Sequence, residues 1–264
     1  MFGLDQKTLA RLHRQRPVVV MGRGHSGTRI MAWALAALGI RMGTLEAKPT
    51  GDCQDRRFTG IIKDLARRNL QRPPAAMPAQ RDLKAFQKAV YKYLGWMKNI
   101  SPAWGWKFPE TYLIGNIVAA TFPAARYIHM LRDGRDLAFK EHLTDDPNRG
   151  LGRTLLKHLN AVDKPDYIQA ALSWEFQIRR FAAFAAGIGD QVHTLTFETL
   201  CRDPMGEMEK VASFLDIPMT DTCRQYLQDA VDPSKVAQFR YADAAKLAEV
   251  ERLIGDTLKF YGYN

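Results

Sequence analysis

The 264-residue sequence is poor in cysteine, short of acidic residues relative to basic ones, and without a long apolar run. Cys53, Cys201 and Cys223 are odd in number and share no metal-ligand spacing, which argues against a disulfide framework or a zinc site. All three read as reduced thiols. The longest apolar stretch, Met31–Ile40, is ten residues between Arg29 and Arg41, well short of the ~20 needed to span a bilayer. The N-terminal MFGLDQKTLARLHRQR has no continuous apolar core. It reads as a short amphipathic helix and not as a signal peptide, so a cytoplasmic location is expected. Asp and Glu number 28 against 38 Lys and Arg, a net charge of +10, which favours anionic ligands. What is present is a globular composition, 46% hydrophobic and 25% charged, excluding disorder and fibrous repeats. One domain over residues 1–264 is expected, with an irregular Pro- and Arg-rich insertion around 48–81.

Pro17–Gly22 is a short β-branched run ending in a glycine turn, the pattern of a buried central strand. From Thr28, Ile30, Trp33, Ala34, Ala37 and Leu38 form one apolar helical stripe that Gly39 stops. Strands are predicted again at Ala103–Phe108, Ala125–Leu131 and Gln191–Phe197, and helices after Pro109, after Gly134 and from about Ile168 to Ala186. Asp203 and Pro204 supply an N-cap and first position for a further helix, and Leu247, Val250, Ile254 and Leu258 mark the last one. Strands alternating with helices at this spacing imply a mostly parallel sheet covered by helices on both faces.

Gly22–Arg29, GRGHSGTR, joins the first strand to the first core helix, where backbone N–H groups and the helix dipole can cradle a phosphate. Gly22 and Gly27 have P-loop spacing, yet Thr28 and Arg29 stand where a nucleoside triphosphatase places its lysine and its magnesium-binding hydroxyl. The anion cradle is kept and the metal ligand lost, which points to a phosphate-bearing ligand handled without magnesium.

His25-Ser26-Gly27-Thr28 resembles the loop of the sulfotransferase family, which reads Lys or Arg followed by Ser-Gly-Thr and binds the 5'-phosphosulfate of 3'-phosphoadenosine 5'-phosphosulfate (PAPS). The resemblance implies a three-layer α/β fold of the P-loop NTPase type, a central parallel sheet flanked by helices. It is closest to the carbohydrate-type and bacterial branch. Ala125–Lys140 is similar to the family segment that holds the cofactor's 3'-phosphate, with Arg132 as its arginine and Lys140 where a serine is usual. Gly105–Glu110 is similar to the Lys-x-Pro segment, making Lys107 the lysine that faces the transferring group, with Glu110 in place of an arginine. Phe197 takes the place of a tyrosine at a strand exit, a structural role. Ser234–Arg240 resembles the loop that closes over the 3'-phosphate, so Ser234, Lys235 and Arg240 are candidate donors.

The resemblance therefore implies PAPS as donor and PAP as product, no metal, and a cradle made by Arg23, Gly24, His25, Ser26, Gly27, Thr28 and Arg29. His25 replaces a permanent cation by a group that titrates near pH 6.5, and an adjacent phosphate should raise its pKa and keep it protonated. An acceptor hydroxyl also needs a general base; Asp52 is the first candidate and Asp55 the second, with Glu46 behind them. The acceptor implied is a glycan or similar small metabolite hydroxyl. Two other readings use the same charge: a magnesium-dependent nucleotide kinase with an atypical loop, and a polyanion or nucleic-acid surface made by Arg56, Arg57, Arg67, Arg68 and Arg72. The missing loop lysine argues against the first, the lack of interleaved aromatics against the second.

Overall fold

A computed structural model describes residues 4–43, 56–96 and 103–263. Asp52, Asp55, Glu46 and Cys53 lie outside them. The chain opens with helix α1 (Gln6–His13), capped by Asp5, then strand β1 (Val18–Met21) and α2 (Thr28–Ala37). Helices α3 (Arg56–Asn69) and α4 (Gln80–Trp96) precede β2 (Gly105–Trp106). A 3-10 turn, Pro109–Leu113, leads into α5 (Gly115–Thr121), β3 (Arg126–Leu131) and the short α6 (Gly134–Ala138). Next come α7 (Gly150–His158), α8 (Asp166–Ala185), β4 (Val192–Thr196) and α9 (Phe197–Arg202). The chain closes with α10 (Pro204–Phe214), α11 (Asp221–Ala230) and α12 (Ala244–Phe260).

The strands form one parallel sheet in the order β2-β1-β3-β4, a P-loop-like α/β arrangement. Val18 pairs with both Gly105 and Arg126, and Leu131 pairs with Thr196. A Cβ on Gly105 would stand 1.9 Å from the Val18 carbonyl oxygen, so that pairing requires glycine. Because side chains alternate along a strand, β1 feeds two cores. Val18 and Val20 join Met31, Leu35, Met130 and Val211 under α2 and α10. Val19 and Met21 join Trp106, Ile117, Tyr127 and Trp174 under α5 and α8. Both faces are covered, which is why the strands read as continuous apolar runs.

Residues 56–69, inside the span predicted to be irregular, are helical. Phe58, Ile62, Leu65 and Ala66 are its buried stripe, and the Phe58 ring stacks on Tyr93 of α4 at 4.7 Å. The arginines between those positions carry the solvent face and hide the period in the composition. The helix predicted after Pro109 begins as a 3-10 turn, because Ile114 leaves helical geometry before Gly115 restarts it. Cys201 and Cys223 are buried free thiols whose pKa values burial pushes up to about 11. Among the described residues no helix is long and apolar enough to cross a membrane.

Candidate functional site

The chain steps from β1 to β2 on one side and then to β3 on the other, so the loop after β1 sits at the switch point of the sheet. Ligands of open parallel sheets bind there, outside the carboxyl ends of the strands. Four residues leave those ends together: Gly22 after β1, Lys107 after β2, Arg132 after β3 and Phe197 after β4.

The loop is packed so closely that a Cβ would collide with a neighbour at three of its glycines. A Cβ on Gly22 would lie 2.7 Å from the Met130 carbonyl oxygen, and one on Gly24 only 1.8 Å from His142 Nε2. Gly27 has φ +84°, left-handed backbone, with Phe197 2.8 Å from where its Cβ would stand. Gly27 is also the N-cap of α2 and offers no side-chain oxygen to the first-turn N–H groups, which leaves the helix terminus open to an anion. Ser26 and Thr28 are buried beside it, and Arg29 is exposed.

Arg23 is buried, and its Nη2 makes a 2.6 Å ion pair with Asp145. Its charge therefore ties the loop to residues 140–145, while its buried Nε has no hydrogen-bond partner. His25 Nε2 lies 2.9 Å from the Glu141 carbonyl oxygen. A carbonyl only accepts, so Nε2 donates and Nδ1 carries the lone pair of the neutral ring. Desolvation, then the Arg23, Lys140 and Arg29 charges, hold the His25 pKa below its ordinary value, against the pull of the Glu141 carbonyl.

His142 is a site residue that the sequence does not announce. Its ring meets His25 edge-on at 5.4 Å, and its Nδ1 accepts the Thr144 N–H at 3.2 Å. That bond fixes the tautomer with the proton on Nε2, toward Gly24. Burial, with Arg23, His25, Lys107 and Lys63 nearby, lowers the His142 pKa to about 2, so the neutral donor persists at any working pH.

Arg132 anchors a second cationic cluster. Its Nε and Nη2 donate to Asp136 at 3.2 and 2.8 Å, its Nη1 donates to the His25 carbonyl at 3.0 Å, and Nη2 also donates to the Lys235 carbonyl. The guanidinium lies over the Phe197 ring at 4.2 Å, and Trp174 Nε1 donates to the Arg132 carbonyl at 3.0 Å. One Nη1 hydrogen takes no part in these bonds. Desolvation and the neighbouring Arg132 and Lys235 charges, opposed by Asp136, hold the Lys140 ammonium below its ordinary pKa. Arg132 thus pairs with Asp136, Lys140 feels the charges of both, and the Lys235 ammonium pairs with Asp232 at 3.5 Å. Asp136 Oδ1 also accepts the Phe239 N–H at 2.9 Å, so the segment carrying Ser234, Lys235 and Arg240 docks on the same helix. Those three side chains are exposed.

Lys107 is buried at the carboxyl end of β2, and Glu110 just beyond it pairs with Lys63 at 3.4 Å. The loop and the Arg132 cluster are brought together; Asp52 and Asp55 fall outside the described residues. Among the described residues no group of three or more His, Cys, Asp or Glu side chains could hold a metal ion.

The fold is shared with solved sulfotransferases. The sulfotransferase domain from the curacin biosynthetic pathway superposes with a TM-score of 0.55 at 13% identity, covering 91% of this chain and 98% of that one. STF9 from Mycobacterium avium gives 0.52 at 14% identity, covering 98% and 80%. The sulfotransferase domain of the Synechococcus olefin synthase gives 0.52 at 13% identity, covering 92% and 96%. No curated protein matches the chain at a significant level. Residues 17–221 match the sequence profile described as the sulfotransferase family. Because that match runs from the residue before β1 to the first residue of α11 and takes in all four strands, the chain belongs to the sulfotransferase family.

Proposed function

We propose that the protein moves a sulfuryl group from PAPS to a hydroxyl of a carbohydrate or similar small metabolite, releasing PAP and requiring no metal. The observation that carries this reading is a pair of linked anion sites. The open terminus of α2 and the Arg132–Lys140–Lys235 cluster are joined by the Arg132 to His25 carbonyl bond. A nucleotide with phosphates at both its 5' and 3' positions needs such a pair. The glycine cradle fits the first phosphate, and Arg132 with the neighbouring charges of Lys140 and Lys235 fits the second.

When bound, PAPS supplies an activated sulfuryl group whose departure leaves charge on the 5'-phosphate. Ser26, Gly27, Thr28 and Arg29 hold that phosphate through backbone N–H groups, the Thr28 hydroxyl and the helix dipole. Lys107, at the strand end, faces the transferring group with its ammonium, and the fixed Nε2–H of His142 adds a neutral donor beside Gly24. His25 already donates from Nε2 to Glu141, so it acts on the leaving phosphate by taking a second proton at Nδ1. Arg132, Lys140, Ser234, Lys235 and Arg240 bind the 3'-phosphate. Arg23 holds the loop in place through Asp145. Asp52, or Asp55 in its stead, accepts the proton of the acceptor hydroxyl as the new oxygen–sulfur bond forms. His142 does not serve there, because its free nitrogen is occupied by Thr144.

Calorimetric titration with PAP, against ATP with magnesium, tests the reading. Tight binding of PAP that EDTA leaves unchanged is expected. Binding of magnesium-ATP without PAP would assign the loop to a kinase instead.

A further inference from the structure

A cleft of about 500 Å³ opens between α3 and the start of α7. Lys63, Asp64 and Arg67 line it from α3, Arg149 and Gly150 from α7, and the half-exposed Leu143 from the segment between. Leu143 directly follows His142, whose ring packs on Gly24 of the phosphate loop, and Lys63 pairs with Glu110, three residues past Lys107. The cleft therefore borders the transfer site.

Its charge arrangement is unusual for a helix start. The N-cap of α7 is Arg149, with no side-chain cap and no acidic residue in the first turn, where Ser, Thr, Asp or Asn and acidic neighbours are favoured. The Arg67 guanidinium comes within 3.4 Å of the position a Gly150 Cβ would take. The Arg67 guanidinium thus stands at the positive end of a helix, and Arg149 lines the same cleft. Their partners are weak counterweights: Arg67–Asp64 and Arg149–Asp146 are both 3.1 Å pairs on partly exposed side chains. Exposed pairs of this kind contribute little and yield readily to a better anion.

We infer that this cleft receives a negatively charged group of the acceptor, a carboxylate, sulfate or phosphate, held by Arg67, Arg149 and the first N–H groups of α7. The inference rests on the sulfuryl-transfer reading and narrows its acceptor to anionic metabolites or glycans. Arg67 and Arg149 are then specificity residues, remote from the transferring group and indifferent to PAP.

The test compares 4-nitrophenyl β-D-glucuronide with 4-nitrophenyl β-D-glucoside, which differ by a carboxylate against a hydroxymethyl group, by calorimetry on the PAP-loaded protein. The glucuronide should bind about tenfold tighter, as one charge-assisted contact allows. Arg67→Gln and Arg149→Gln should each shrink the difference and together erase it, while PAP affinity reports an intact cofactor site. Equal binding of the two probes, no binding of the glucuronide, or a preference that survives in the double variant overturns the inference. The same titrations without PAP separate the two readings. If PAP fails to bind but the glucuronide still binds through Arg67 and Arg149, the transfer reading falls and the anion site stands.

Discussion

At the scale of single residues, His25 is the departure with the most direct consequence. Its Nε2–H is held by the Glu141 carbonyl, while desolvation and the Arg23, Lys140 and Arg29 charges depress its pKa. An anion arriving beside the ring reverses that field, so binding should draw a proton onto Nδ1. PAP affinity is expected to rise as the pH falls from about 8 to about 6, around the ordinary histidine value. Calorimetry in buffers of different ionisation enthalpy reads the proton directly, and His25→Lys should keep turnover while removing the uptake. Binding without proton uptake in the wild type would take the imidazolium out of the mechanism. Arg132 gives a second residue-scale expectation. On the proposed reading, losing the guanidinium that meets the 3'-phosphate and lies over Phe197 should weaken PAP by roughly 100-fold or more, at ~1.5–3 kcal/mol per charged hydrogen bond. Arg132→Lys should recover only part of this, since a lysine lacks the fork that also reaches Asp136 and the His25 carbonyl.

At the scale of elements, the glycine loop after β1 is held from above by residues 140–145. The ties are the Arg23–Asp145 ion pair, the His25 to Glu141 contact and the His142 ring against Gly24. Both members of the ion pair are buried. Asp145→Asn leaves the Arg23 charge without its carboxylate and should cost about 3–5 kcal/mol of stability. Replacing both, as Arg23→Met with Asp145→Leu, should recover most of it in urea unfolding. A double variant as unstable as the single one would refute this account. The strand–loop–helix unit was legible because β-branched run, glycines and apolar stripe all agree in Pro17–Gly39. Its clamp was not, since Arg23 and Asp145 are 122 residues apart and charge alone does not mark a buried pair. The same holds for α3: composition pointed to a loop, and only the spacing of Phe58, Ile62 and Leu65 against α4 makes it a helix.

At the scale of the whole molecule, a sheet covered on both faces buries polar side chains that a sequence reading counts as ordinary. Strand–helix alternation implied a parallel sheet but not its order β2-β1-β3-β4, and nothing in the period of Ala125–Leu131 shows that His129 faces the larger core. There its Nε2 meets the Tyr112 hydroxyl at 2.6 Å, its Nδ1 meets Thr194 Oγ1 at 3.2 Å, and burial lowers its pKa to about 3. His142 is lowered to about 2, and burial also lowers His193. The sign of the stability effect follows from which state takes up protons. Above about pH 6.5 the histidines are neutral both folded and unfolded and contribute no pH dependence. Below it the unfolded chain binds protons that the folded chain refuses, so stability falls with pH from about 6.5 toward the folded values. Each histidine contributes up to ~1.4 kcal/mol per pH unit in that window. Between pH 7.5 and 5, above the ordinary carboxylate range, His129 and His142 together should remove roughly 4 kcal/mol at most. Urea midpoints at the two pH values measure it. His129→Gln, which retains an amide for Tyr112, should cut the loss by about half. A midpoint unchanged between pH 7.5 and 5 would mean that these imidazoles are open to protons in the folded protein, and that the core around Tyr112 and Phe181 admits water.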